Sequence, residues 1–201
     1  MIPIHIITGF LGSGKTTFIQ KLLRSEHGHK TLVLINELGE VGIDDILVKP
    51  LADNTYLLKN GCVCCTVLTD LKATLLDVLR MRNHGEIPHF DRIILETTGL
   101  ANPASILSTI MQDTHLQGQL FVQGLTTIVD AENAHVQQTL HPEWTAQVVA
   151  AHQILLSKLD RVEDEALSEL QQRLQQINVD AESLSTEAIN DIETLLSEQT
   201  A

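Results

Sequence analysis

Gly9, Gly14, Lys15 and Thr16 stand at the spacing G-x-x-x-x-G-K-[ST], inside the stretch Gly-Phe-Leu-Gly-Ser-Gly-Lys-Thr-Thr from Gly9 to Thr17. That spacing is suited to gripping the phosphates of a nucleoside triphosphate. Glycines at 9, 12 and 14 let the backbone curl until its N–H groups face the phosphates, with Ser13 and Thr17 in the same cradle. A helix starting after the loop adds unpaired N–H groups and the positive end of its dipole. Lys15 is then expected to reach the β and γ phosphates, and the Thr16 hydroxyl to hold Mg²⁺. The bland alternative is a glycine-rich turn that matches by accident. The flanks speak against it. Ile4 to Thr8 is a β-branched run suited to a buried strand, and Phe18, Ile19, Leu22 and Leu23 follow at helical spacing.

Three further groups carry chemistry. Glu96 ends an apolar run and Gly99 follows three residues later. An acid at the end of a strand can bind Mg²⁺, directly or through water, and a glycine N–H can sense the γ-phosphate. Ser157-Lys158-Leu159-Asp160 is the next group. Here a carboxylate can accept hydrogen bonds from N1–H and the 2-amino group of guanine, and the lysine stem can lie against the purine. An ordinary helix start, capped by Ser157 or Asp160, is the competing reading. Cys62, Cys64 and Cys65 form the last group, with Gly61 ahead of them to permit a sharp bend. Thiols spaced C-x-C-C fit disulfide geometry badly. They suit a soft or borderline cation such as Zn²⁺, Cu(I), Co²⁺ or Ni²⁺. Three sulfurs leave a tetrahedral ion one ligand short, which Glu37, Glu40, a histidine, water or a partner could supply. His115, in the polar loop after the Pro103 helix, could approach the nucleotide-side loops, but a surface or core placement is the favoured reading.

The elements that must position these groups alternate. Thr31 to Ile35, Tyr56 to Leu58, Phe90 to Glu96, Leu125 to Val129 and Ala151 to Leu156 read as strands, several of them continuously apolar as in a parallel sheet. Leu68 to Met81 reads as a helix, as does Ala104 to Met111 behind Pro103. From Glu163 a third helix carries Leu167, Leu170, Leu174 and Ile177. After Asn178 the pattern weakens, with a last helix expected over Glu187 to Leu196 and no strand placed before it. The polar loop Asn36 to Asp45 leaves a strand end, where ligands of doubly wound sheets lie. The expected fold class is α/β: a P-loop NTPase with a mostly parallel, doubly wound sheet.

Composition bounds the rest. A chain of 201 residues that is 43% hydrophobic accommodates one α/β domain. A net charge of −13 argues against nucleic acid or an anionic membrane as partner. The apolar start lacks a basic leader and a cleavage site, and no stretch approaches a membrane span, so a cytoplasmic protein is expected. Cysteines confined to four residues do not form a disulfide framework. The acidic run after Asp160 reads as a solvated helical surface.

Taken together, the phosphate loop, Asn-Glu-Leu-Gly-Glu-Val-Gly-Ile-Asp, Gly-Cys-Val-Cys-Cys and Glu-Thr-Thr-Gly-Leu-Ala-Asn-Pro resemble the CobW-type GTPases, metal-handling relatives of the urease and hydrogenase nickel-insertion GTPases. The resemblance runs over about residues 1 to 160. It implies a GTPase that couples nucleotide state to Zn²⁺ (or Co²⁺) at Cys62, Cys64 and Cys65 and delivers the metal to client enzymes. Lys15 and Thr16 would bind phosphate and Mg²⁺, Glu96 and Gly99 would sense the γ-phosphate, and Asp160 would read guanine. GTP and Mg²⁺ would order the loop holding Glu37 and Glu40 and complete the metal site; Glu37 or Asp44 could instead place the attacking water. Ser157 departs from the family's usual Asn or Thr. Relatives commonly carry a second, C-terminal domain, which is expected to be absent here, leaving a single GTPase domain over residues 1–201. The partners implied are a guanine nucleotide and metal-requiring clients, with a homodimer compatible. The rivals are a P-loop ATPase or small-molecule kinase with redox-sensing cysteines, and a non-hydrolysing metal buffer.

Overall fold

The structure, a computed structural model, describes residues 1–26, 28–36, 49–52, 55–60 and 67–197. Among the described residues eight strands form one sheet: β1 (Ile2–Thr8), β2 (Thr31–Asn36), β3 (Lys49–Ala52), β4 (Thr55–Asn60), β5 (Arg92–Glu96), β6 (Leu120–Asp130), β7 (Gln153–Ser157) and β8 (Glu182–Ser185). They lie in the order β3-β4-β2-β5-β1-β6-β7-β8. Every neighbouring pair is parallel except β3 with β4. β1 is therefore interior, with β5 on one side and β6 on the other, so both neighbours' loops can meet the loop that leaves β1.

The side chains explain this layering. Successive strand residues face opposite ways, and both faces here are apolar. Ile4, Ile6, Leu32, Leu34, Ile93, Leu95, Ile154 and Leu156 bury one face, while Ile7, Val33, Ile35, Ile94 and Leu155 bury the other. The first face is covered by helices α2 (Val67–Asn83), α3 (Pro103–Gln112), α4 (Thr114–Gln117), α6 (Pro142–Val149) and α7 (Asp164–Ile177). The second is covered by α1 (Lys15–Leu23) and α8 (Ile192–Ser197). The short α5 (Ala134–Leu140) joins β6 to α6. The sheet is doubly wound, as the apolar runs implied. On α1, Phe18, Ile19, Leu22 and Leu23 are buried at helical spacing; each such side chain contributes about 1.5–3 kcal/mol on burial.

Several boundaries differ from the sequence reading, each for a visible reason. β6 begins at Leu120, five residues before the expected start: Gln123 and Gly124 interrupt the apolar run, and the register to β1 shifts there, skipping Gln123, before pairing resumes at Gly124. β8 is a polar strand, Glu-Ser-Leu-Ser, recognisable only through its pairing with β7. The last helix starts at Ile192, after a turn in which Glu187 N bonds Ser185 Oγ. Among the described residues no helix is long and apolar enough to cross a membrane.

Candidate nucleotide site

The loop after β1 takes its shape from three glycines. Gly9, Gly12 and Gly14 have φ of 142°, 74° and 92°, a region that favours glycine. At Gly9 the requirement is doubled. A Cβ there would lie 2.2 Å from Ile128 O and 2.8 Å from Ser13 Oγ, so the loop closes on β6 only if the side chain is hydrogen. Gly14 ends the curl, and Phe18 N donates to Gly14 O at 2.9 Å as α1 begins. Lys15 is buried and folds back over the loop, its Nζ donating to Gly9 O at 2.8 Å and Phe10 O at 3.2 Å. The helix start, its dipole and the lysine charge thus converge on one hollow.

The end of β5 forms the opposite wall. Thr16 Oγ1 donates to Glu96 Oε1 at 2.6 Å, joining residues eighty positions apart, and Glu96 is 2% exposed. Thr97 N bonds Ile7 O and its hydroxyl donates to Thr8 Oγ1 at 2.8 Å, which fixes the chain as it leaves the strand. Gly99 then backs onto the phosphate loop: a Cβ would lie 2.6 Å from Leu11 N. Leu11, Gly12, Gly14, Lys15, Thr16, Thr17, Glu96, Thr97, Thr98 and Gly99 line one cavity of about 540 Å³. The structure brings together Lys15, Thr16, Thr17, Glu96 and Gly99. Gly9 and Ser13 shape the loop from beneath, outside the lining.

The expected base-reading loop follows β7. Ser157 Oγ donates to Ser13 O at 2.8 Å, so this hydroxyl braces the phosphate loop. Lys158 is left-handed at φ 58°, unusual for a side-chain-bearing residue, and its Nζ donates to Asp130 Oδ2 at 2.6 Å. Asp130, at the end of β6, also accepts from Glu132 N, Asn133 N and Asn133 Nδ2. Burial opposes ionisation of Asp130, but the bonds from Lys158 and Asn133 outweigh it and hold the carboxyl below its usual value. Asp160 follows in a 3-10 turn over Leu159–Arg161 with its side chain 81% exposed.

A triphosphate with Mg²⁺ fits this donor set. The curl would be filled by any Cβ at Gly9, the cavity has anion-facing backbone, and Thr16 and Glu96 place two hard oxygen donors side by side. The metal-ligand candidates Cys62, Cys64, Cys65, Glu37 and Glu40 lie outside the described residues, as does Asp44. His115 lies in α4, exposed and beside Asp113, away from the cavity lining.

Three residues at the site were passed over in the sequence. The Phe10 ring lies 4.5 Å from that of His141, centroid to centroid. Asp130 holds Lys158. Gln147, in α6, donates from Nε2 to Gly99 O at 3.0 Å. The usable signal was polarity at buried positions: Gln147 is buried together with Trp144 and Val148 on α6.

A family model for the CobW/HypB/UreG nucleotide-binding domain matches residues 3–185. The zinc chaperone YjiA of Escherichia coli (strain K12) is 39% identical over 180 residues, covering 90% of this chain and 56% of that protein. The zinc-regulated GTPase metalloprotein activator 1 of Schizosaccharomyces pombe is 32% identical over 194 residues, covering 92% and 46%. The crystal structure of Zn(II)-bound YjiA GTPase from E. coli is similar with a TM-score of 0.73 at 35% identity, over 90% of this chain and 56% of that one. HypB from Helicobacter pylori, in complex with nickel, has a TM-score of 0.58 at 16% identity over 92% and 80%, a likeness of fold. The chain spans about half the length of the curated relatives it matches.

Proposed function

This chain belongs to the CobW/HypB/UreG nucleotide-binding family, and from that premise we propose that it binds and hydrolyses GTP and couples nucleotide state to a transferable metal. The observation that carries the reading is the cavity lined by Gly12, Gly14, Lys15, Thr16 and Glu96, with Thr16 bonded to Glu96 across it. Lys15 neutralises the β and γ phosphates. Thr16 and Glu96 would hold Mg²⁺, which would offset charge on the phosphate oxygens. Gly99 meets the γ-phosphate. Ser157, Lys158 and Asp160 take the guanine end; with its ammonium anchored on Asp130, Lys158 offers its stem to the purine while Asp160 reads the base edge.

Zn²⁺ (or Co²⁺) is the cargo in this reading, held by Cys62, Cys64 and Cys65 and completed by Glu37 or Glu40 when GTP is bound. Hydrolysis, with Glu37 or Asp44 placing the water, would loosen that site and release the metal to a client protein. Support comes from zinc chaperones among the relatives and from the C-x-C-C spacing. Lys15→Ala is expected to abolish GTP turnover in a phosphate-release assay; wild-type rates in that variant would end the nucleotide assignment. Competition between GTP and ATP for a fluorescent analogue separates this reading from an ATPase or kinase.

A further inference from the structure

The turn that carries Gly99 is gripped from behind by α6. Gln147 is wholly buried at 0% exposure. Its Nε2 donates to Gly99 O at 3.0 Å and to Ala101 O at 3.2 Å, so one amide spans both ends of Gly99-Leu100-Ala101. The front of the same turn rests on the phosphate loop at Leu11. The helix is itself tied to the site twice more. Gln147 O accepts from Thr127 Oγ1 at 2.7 Å, on the strand beside the loop, and His141 at the head of α6 meets Phe10 within it. Gln147 Oε1 is buried and has no donor among the described residues. A buried acceptor left unmet costs free energy that methionine or leucine would not incur. Packing therefore does not account for an amide at this position; the two carbonyl bonds do.

We propose that Gln147 is a positioning residue for recognition of the terminal phosphate: by pinning Gly99 O and Ala101 O it holds Gly99 against Leu11, where a γ-phosphate would meet it, and so sets the preference for GTP over GDP. This rests on the GTPase reading and adds a residue that touches no nucleotide. A triphosphate and a diphosphate share the glycine curl and Lys15, so loosening the Gly99 turn weakens the triphosphate alone.

The test uses the full chain with Mg²⁺, titrated separately with a non-hydrolysable GTP analogue and with GDP. Gln147→Met keeps volume and removes both bonds; Gln147→Glu keeps length and, protonated in its buried place, can still donate to one carbonyl. Gln147→Met is expected to lose about tenfold in affinity for the GTP analogue, the order of one hydrogen bond. GDP affinity should stay within about twofold, and Gln147→Glu should fall between wild type and Gln147→Met. The inference is overturned if both nucleotides weaken by one factor in the folded variants, or if GTP affinity does not change. If Gln147→Met fails to fold, Gln147→Glu carries the same comparison. Failure of the GTPase reading looks different: wild-type protein would then bind neither guanine nucleotide.

Discussion

The phosphate end and the base end of the site are built in different ways. At the phosphate end the shape is a property of the backbone: three left-handed glycines, a buried lysine bonded to loop carbonyls, and a glycine packed against Leu11 N. At the base end the shape is a property of side-chain pairs. Ser157 braces Ser13, Asp130 holds a left-handed Lys158, and Asp160 projects into solvent. At Gly9 and Gly99 the backbone leaves no room for a Cβ, whereas side-chain braces can be weakened one bond at a time. The site should therefore fail abruptly at one end and by degrees at the other.

The largest effect is expected at Gly9. Gly9→Ala puts a methyl 2.2 Å from Ile128 O at a φ that alanine avoids. Affinity for GTP and for ATP should fall together by at least about 100-fold, given strain of about 1–3 kcal/mol in addition to the overlap. Isothermal titration with each nucleotide checks this, and a normal affinity would break the contrast. A smaller, selective effect belongs to Asp160→Asn. That change trades one acceptor for a donor, so guanine should lose about 30-fold while xanthine, with an oxygen at position 2, gains. Competition among GTP, ATP and XTP reads the ratio; a uniform loss would mean that Asp160 does not face the base.

The smallest effect concerns the sheet beneath both ends. His5 is 1% exposed, its Nε2 is 2.9 Å from Thr126 Oγ1, and burial, reinforced by His152, lowers its pKa to about 3. Below about pH 6.5 the unfolded chain takes up a proton that the folded chain refuses. Stability is thus full above that pH and drains away as the pH falls toward 3. Between pH 7 and 5.5 the loss should be about 1 kcal/mol in urea unfolding, and His5→Gln should flatten it.

The same contrast explains what was legible in the sequence. The phosphate loop, Glu96 and Gly99 could be read because backbone demands write themselves into fixed spacings of glycine, lysine and threonine. The bracing role of Ser157 could not, since its partner Ser13 is 144 positions away. Nor could Asp130, whose hold on Lys158 depends on β6 and β7 lying side by side. β1, β2, β5 and β7 were visible as apolar runs buried on two faces. β8 and the Pro50-bearing edge strand β3 lack that run and are defined by their neighbours. Helices α4 to α6, through residues 114–149, carry mixed polar faces, and Gln147 is the price of reading only apolar periodicity there.

In the proposed function, a nucleotide on Lys15 and a metal on Cys62, Cys64 and Cys65 would strengthen one another's binding. Titrating Zn²⁺ into the protein with and without a non-hydrolysable GTP analogue and Mg²⁺ tests it directly. Zinc affinity should be at least about fivefold higher with the analogue, and the analogue should gain equally in the presence of zinc. Zinc affinity that ignores the nucleotide would contradict it and leave a metal buffer on a nucleotide-binding fold.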